Sequence, residues 1–226
     1  MFVVLRREIV ACTRCPRLVE YRERIARERR KQYRDEVYWG RPLPGFGDPK
    51  ARLVVIGLAP AAHGGNRTGR MFTGDSSGDW LARALHGERF ANRPTSRSRD
   101  DGLLLRDAYI TAAARCAPPD NKPTRDELAA CRGYLERELA LLDRVRVVVT
   151  LGKIAFDAYL AACRETGVAL PRPRPLFGHG ASYALPNGVI LIASYHPSRQ
   201  NTQTGKLTPH MLRSIFRSAR RALTSR

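Results

Sequence analysis

Arg52-Leu-Val-Val-Ile-Gly57 decides the fold: four consecutive aliphatic residues, three of them β-branched, closed by a glycine. The run is too short for a helix and does not alternate with polar residues, so it reads as a strand buried on both faces. Three further runs share this character: Tyr109-Ile-Thr-Ala112, Val145-Arg-Val-Val-Val-Thr150 and Val189-Ile-Leu-Ile-Ala193. Helical patterns separate them, at about Ser77 to His86, Thr124 to Leu142, Lys153 to Ala162 and Leu207 to Ala222. A charged helical stretch from about Leu5 to Arg34 precedes them all, with Ile9, Val10, Leu18, Val19 and Ile25 on its apolar side. Strand and helix in alternation bring the strands together in parallel, because each helix serves as a crossover. The expected architecture is an α/β protein, a single three-layer α/β/α domain spanning residues 1–226.

In open parallel sheets, ligands bind where strands end at their carboxyl termini. The loop after the first strand is Leu58-Ala-Pro-Ala-Ala-His-Gly-Gly-Asn-Arg-Thr-Gly-Arg-Met-Phe-Thr-Gly-Asp75, glycine-rich and running into a helix at about Ser76. Backbone amides at such a junction suit a phosphate or another developing anion. The loop is not a Walker loop, which ends in Gly-Lys-Ser/Thr, and its glycines do not have dinucleotide-fingerprint spacing. After the last strand comes Ser194-Tyr-His-Pro-Ser-Arg-Gln-Asn201. His196 is placed there to donate a hydrogen bond to an oxygen gaining charge, and Ser198 with Arg199 to hold a phosphate. The loop Arg115-Cys-Ala-Pro-Pro-Asp-Asn-Lys-Pro-Thr124 adds Asn121, suited either to reading a base edge or to capping a turn.

Five cysteines include a Cys-x-x-Cys pair, Cys12 and Cys15, a more widely spaced pair, Cys116 and Cys131, and Cys163. Two pairs brought together by folding supply four thiolates, a count that suits zinc and an iron-sulfur cluster alike. A redox Cys-x-x-Cys and unrelated buried thiols are the other readings, and disulfides are disfavoured by the lack of an export pattern at the N-terminus. The formal charge is +19, carried by 40 basic residues of which only Lys31, Lys50, Lys122, Lys153 and Lys206 are lysines. Arginine's planar fork grips phosphate oxygens in pairs, so nucleic acid is the first partner to consider. No apolar run approaches the roughly 18 to 20 residues that cross a bilayer, and the expectation is a soluble, cytoplasmic prokaryotic protein with no membrane partner.

These parts together resemble the family 5 uracil-DNA glycosylases, over nearly the whole chain. The residues that carry the likeness are Gly57-Leu-Ala-Pro-Ala-Ala-His63, then Asn66-Arg-Thr-Gly and Phe72-Thr-Gly-Asp75, the segment Cys116-Ala-Pro-Pro-Asp-Asn-Lys-Pro, His196-Pro-Ser198, and four cysteines in the same order. The resemblance implies a central four-stranded parallel sheet and one four-iron, four-sulfur cluster, with Cys12, Cys15, Cys116 and Cys131 as ligands, that ties the N-terminal helix to the rest. It also implies a substrate of double-stranded DNA from which a uracil is flipped. Separately from the resemblance, a monomer is the expected state. Ala59, His63, Phe72 and Asn121 are the expected base-pocket residues, and Arg67, Ser198 and Arg199 the expected DNA contacts. His196 would stabilise the departing base. Related families carry a polar or acidic side chain where this chain has Leu58, Ala59 and Ala61. The carboxylate expected in that role is therefore Asp75, with Asp79 as the second candidate. The small residues leave room for other damaged bases, hypoxanthine among them.

Two rivals remain. A zinc nucleobase deaminase would need His-x-Glu and Pro-Cys-x-x-Cys, which are absent. A noncatalytic, metal-stabilised DNA-binding protein accounts for the charge and the cysteines but leaves the glycine-rich loop and His196-Pro-Ser198 without a purpose.

Overall fold

The computed structural model describes residues 1–224. Two helices, α1 (Phe2–Val10) and α2 (Pro16–Glu28), stand where the sequence reads as one helical stretch from about 5 to 34. The break has a local cause. Cys15 is extended, at φ −114° and ψ 92°, and Pro16 occupies the first turn of α2; proline's fixed φ and missing N–H suit a helix start and not its interior. The Cys-x-x-Cys therefore forms the corner between two helices.

A short strand β1 (Phe46–Gly47) and then β2 (Leu53–Gly57) lead through α3 (Gly65–Thr68) into α4 (Ser76–Gly87). β3 (Ala108–Ala112) is followed by α5 (Arg125–Leu141), and β4 (Val147–Leu151) by α6 (Lys153–Glu165). β5 (Ser182–Ala184), β6 (Ile190–Ser194), α7 (Arg199–Gln203) and α8 (Pro209–Thr224) complete the described chain. The sheet order is β1-β3-β2-β4-β6-β5. Its four central strands are parallel, in a register that sets Val55 beside Ile110 and Val149, and Val149 beside Ile192. The edge strands β1 and β5 are antiparallel to their neighbours and extend the four expected strands to six. At two and three residues, Phe46–Gly47 and Ser182–Ala184 are too short to show a hydrophobic pattern.

Period-2 alternation divides each central strand between two interiors. Leu53 and Val55 face a layer built from Leu81 and Leu85 of α4 and Ile215 and Phe216 of α8. Val54 and Ile56 face Leu135 of α5 and Phe156 and Leu160 of α6. Each such side chain taken fully from water contributes about 1.5–3 kcal/mol, which is why the strands read as unbroken apolar runs. α1 packs on α5 through Leu5, Ile9 and Tyr134. No helix among the described residues is long and apolar enough to cross a membrane.

One polar knot crosses this interior. Arg115 and Glu138, each 1% exposed, form an ion pair at 2.8 Å. Glu138 also accepts from Gly45 N, Tyr109 Oη and Thr111 Oγ1. A buried pair offsets its desolvation only when its remaining hydrogen-bonding positions are filled. Here the positions on Glu138 are filled from the β1 approach and β3, which ties both to α5 and holds the start of the loop that carries Cys116.

Candidate active site and cysteine corner

The carboxyl ends of β2, β4 and β6 lie side by side, and the site forms over them. Gly57 ends β2, and a Cβ there would fall 2.6 Å from the Phe72 ring, so glycine alone lets that ring lie across the strand end. Phe72 sits at φ 49°, a conformation that costs a non-glycine residue roughly 1–3 kcal/mol and persists only where the surroundings enforce it. The enforcement comes from α4: a Cβ on Gly78 would meet Phe72 O at 2.2 Å, so the helix start presses on that peptide. Phe72 then faces His196, with ring centroids 5.8 Å apart and planes at 34°.

His196 follows β6 and crosses to the end of β4, where a Cβ on Gly152 would stand 3.5 Å from the His196 Cβ. Asn201 Nδ2 donates to His196 O at 2.8 Å, and Ser77 Oγ donates to Pro197 O at 2.8 Å, joining this turn to α4. Burial depresses the His196 pKa to about 4, so the imidazole is neutral at pH 7. It has no hydrogen-bond partner among the described residues, and its N–H remains available.

Asp75 caps α4, with Oδ1 accepting from Gly78 N at 2.8 Å. Its Oδ2 lies against Gly64, where a Cβ would stand 2.1 Å away. Burial raises its pKa above the usual carboxylate value, opposed by the Gly78 amide, while Asp79 nearby raises it further. Asp79 lies in the first turn of α4.

The remaining expected residues divide. Ala59 is half-buried on the loop that leaves β2, beside Leu58, whose carbonyl accepts from Ala114 N at 2.9 Å. His63 turns its Nδ1 to Tyr38 Oη at 3.0 Å, and burial lowers its pKa, with Arg30 and Arg67 adding to the effect. Asn121 is exposed at φ 57°, and no hydrogen bond or ring contact joins it to Phe72 or His196. Ser198 accepts from Asn201 N and caps α7, whose first residue, Arg199, is exposed.

Arg67, expected as a DNA contact, is folded into the loop that carries it. It is 8% exposed, donates to His63 O, Gly74 O and Glu36, and lies 3.8 Å over the Tyr33 ring. Its guanidinium is used up inside the loop it braces. Arg70 does similar work beside it, bonded to Thr73, Ser96 and Asp101. The sequence also draws no attention to Asn201 and Ser77 as supports of the His196 turn. Asn201 stands five residues after the histidine, but nothing local marks Ser77 as its partner.

Cys12 and Cys15 at the α1–α2 corner, Cys116 after β3 and Cys131 on α5 all line one small cavity, with Arg115 and Tyr134. Arg22, 4% exposed, donates to Cys116 Sγ at 3.2 Å and to Cys12 O. Arg22 Nε and Arg115 Nε are two of four buried polar side-chain atoms without a partner among the described residues. Burial raises the thiol pKa values of Cys15, Cys116 and Cys131. No group of three or more His, Cys, Asp or Glu among the described residues stands close enough to hold a single metal ion. Cys163 lies apart, buried on α6.

The family model described as the uracil DNA glycosylase superfamily matches residues 44–220. The chain is 53% identical over 213 residues to a type-5 uracil-DNA glycosylase of Thermus thermophilus, covering 94% of each chain. A protein of the same description from Mycobacterium leprae is 49% identical, over 96% of this chain and 93% of its own. Another, from Pyrobaculum aerophilum, is 48% identical, over 93% and 88%.

Proposed function

This chain belongs to the uracil DNA glycosylase superfamily and, within it, to the type-5 enzymes, and we propose that it removes uracil from double-stranded DNA by hydrolysing the N-glycosidic bond. The observation that carries the mechanism is the neutral, unpartnered His196 facing Phe72 above the strand ends, with the Asp75 carboxylate on the adjoining loop.

A base stacked in a duplex is out of reach, so the nucleotide is first turned out of the helix, at a cost of a few kcal/mol. The flipped uracil lies on the Phe72 ring. As the glycosidic bond stretches, the base gains negative charge and the sugar positive. The N–H of His196 meets the charge on a uracil oxygen. A neutral imidazole serves well here, because it donates a hydrogen bond without placing a full cation in a buried site. The Asp75 carboxylate, through Oδ2, stabilises the sugar cation or positions the attacking water. Asp79 is the weaker candidate because its carboxylate caps nothing and has no hydrogen bond among the described residues to fix it. Asn121 reads the polar edge of the base, Ala59 and His63 border the pocket, and Ser198 and Arg199 hold phosphate. With Leu58, Ala59 and Ala61 at its mouth, the pocket also admits hypoxanthine and other damaged bases.

Cys12, Cys15, Cys116 and Cys131 would hold one four-iron, four-sulfur cluster. The donor set supports this over zinc. Zinc draws four sulfurs to about 2.3 Å from one point, whereas these thiols surround a space without any three meeting at single-ion distance. Two unpartnered guanidinium N–H groups beside them would meet acceptors on an anionic cluster. When bound, the group supplies a cross-link between the α1–α2 corner, the loop after β3 and α5; base hydrolysis makes no use of its electrons.

The test is alkali-revealed cleavage of a labelled duplex carrying one uracil opposite guanine, with an unmodified duplex as control. Cleavage at the uracil alone supports the glycosylase. Binding of both duplexes without base release replaces it with a noncatalytic DNA-binding protein.

A further inference from the structure

Four arginines are buried among the described residues, and three of them hydrogen-bond a carboxylate: Arg67 bonds Glu36, Arg70 bonds Asp101 and Arg115 bonds Glu138. Arg22, 4% exposed on α2, does not. It approaches its chain neighbour Glu23 at 3.5 Å, an exposed side chain to which no hydrogen bond is made. What the guanidinium does reach is sulfur. Nη1 donates to Cys116 Sγ at 3.2 Å and to Cys12 O at 3.3 Å, while Nε has no partner among the described residues. A buried cation is costly unless something negative compensates it. The groups in reach that can supply that charge are the cysteines around the small cavity. Four thiolates closed on a four-iron, four-sulfur core carry net negative charge, and hydrogen bonds to the sulfurs help to set its reduction potential.

The other end of Arg22 faces the catalytic loop. Asn66, a fully buried side chain, donates from Nδ2 to Arg22 O at 3.1 Å. The backbone of Asn66 is held on both sides, its N donating to Ala61 O and its O accepting from Gly40 N, each at 3.0 Å. Next in sequence is Arg67, which grips Gly74 O immediately before Asp75. One residue of α2 therefore lies between the sulfur of Cys116 and the loop that presents Asp75.

We propose that Arg22 is the buried counter-ion of the iron-sulfur cluster and a positioning residue for the catalytic loop, its guanidinium holding the cysteine sulfurs and its carbonyl holding Asn66. The inference rests on the cluster reading and deepens it. The charge on the sulfurs draws α2 onto the cysteine corner, and Asn66 draws the loop onto α2. The same cation favours the reduced core, which carries one more negative charge, so a residue that binds no iron raises the potential of the cluster.

The experiment uses the holoprotein of wild type, Arg22→Lys, Arg22→Met and Asn66→Ala, each assayed for iron and acid-labile sulfide. Three quantities are read: the rate at which a ferrous chelator bleaches the visible absorption, the reduction potential, and amide exchange over residues 58–75. Arg22→Met is expected to bleach about 10-fold faster, the low end of the range for losing a partner of a metal ligand, with a lower potential and faster exchange in the loop. Arg22→Lys keeps the charge and is expected to hold the potential near the wild-type value. Asn66→Ala is expected to speed exchange in the loop and leave the potential unchanged. If Arg22→Met assembles no cluster, Arg22→Gln, which keeps an amide donor and loses the charge, takes its place with the same fall in potential expected. A potential and a bleaching rate equal to wild type in the neutral variant overturn the counter-ion. Loop exchange unchanged in both the neutral variant and Asn66→Ala overturns the positioning role. Wild-type protein without iron, sulfide or a visible band sinks the cluster reading and this inference with it; an intact cluster indifferent to Arg22 sinks the inference alone.

Discussion

The loop after β2 and the turn after β6 meet in one site yet are held in opposite ways. The first spans eighteen residues, Leu58 to Asp75, and is fixed from within by buried arginines: Arg67 grips His63 O and Gly74 O, and Arg70 grips Thr73, Ser96 and Asp101. The second, from Tyr195 to Ser198, is fixed from outside, by Asn201 behind it and Ser77 across from it. The long loop spends cations on its own shape, while the short turn leaves its imidazole unbonded. Saturated polar groups build the scaffold, and unsaturated ones are free to meet a substrate.

The sharpest break of this contrast is at His196. His196→Ala is expected to lower single-turnover base release by roughly 10²–10³-fold, the range for losing one donor to a developing anion, with little change in melting temperature. Asp75→Asn keeps the helix cap and removes the charge, and the expected loss in the rate of release is about 10²-fold or more. The same variant tests pH dependence. Burial raises the Asp75 pKa, so the acid limb of the wild-type rate is expected at a higher pH than a free carboxylate would set, activity being lost as pH falls through it. His196, depressed to about 4, stays neutral above that pH, so the limb should vanish there from the residual activity of Asp75→Asn. A limb that persists there would assign it to another group.

Arg67→Met inverts the pattern. It removes three hydrogen bonds, two within the loop and one to Glu36, and is expected to cost about 2–3 kcal/mol in denaturant unfolding, with activity falling as the loop loosens. A variant as stable as wild type but weaker on DNA would return Arg67 to the DNA surface. The smallest effect belongs to Arg199, exposed at the start of α7. Arg199→Ala should weaken binding to any duplex alike and reduce the slope of log affinity against log salt by about 1.

The four central strands are readable because burial on both faces turns each into an apolar run, and their helices because each carries one apolar side. β1 and β5 are not, since pairing with an edge strand needs only backbone. Pro16 is visible in the sequence, but its effect depends on Cys15 being extended, which follows from the corner that the two helices make. Of the site, His196 and Phe72 can be located from strand ends and motifs. The fate of the arginines cannot. Arg67 finds Glu36 across 31 residues and Arg70 finds Asp101 across the same separation, and nothing local distinguishes them from an arginine that faces phosphate.

Asp75 binds α4 through Oδ1 and turns Oδ2 toward Gly64. A free carboxylate has two equivalent oxygens and exchanges them by rotating about its own axis. This one cannot do so without uncapping its helix. Its two atoms are distinguishable for as long as the fold persists: one is the anchor of the helix, and the lone pairs of the other keep a single fixed direction.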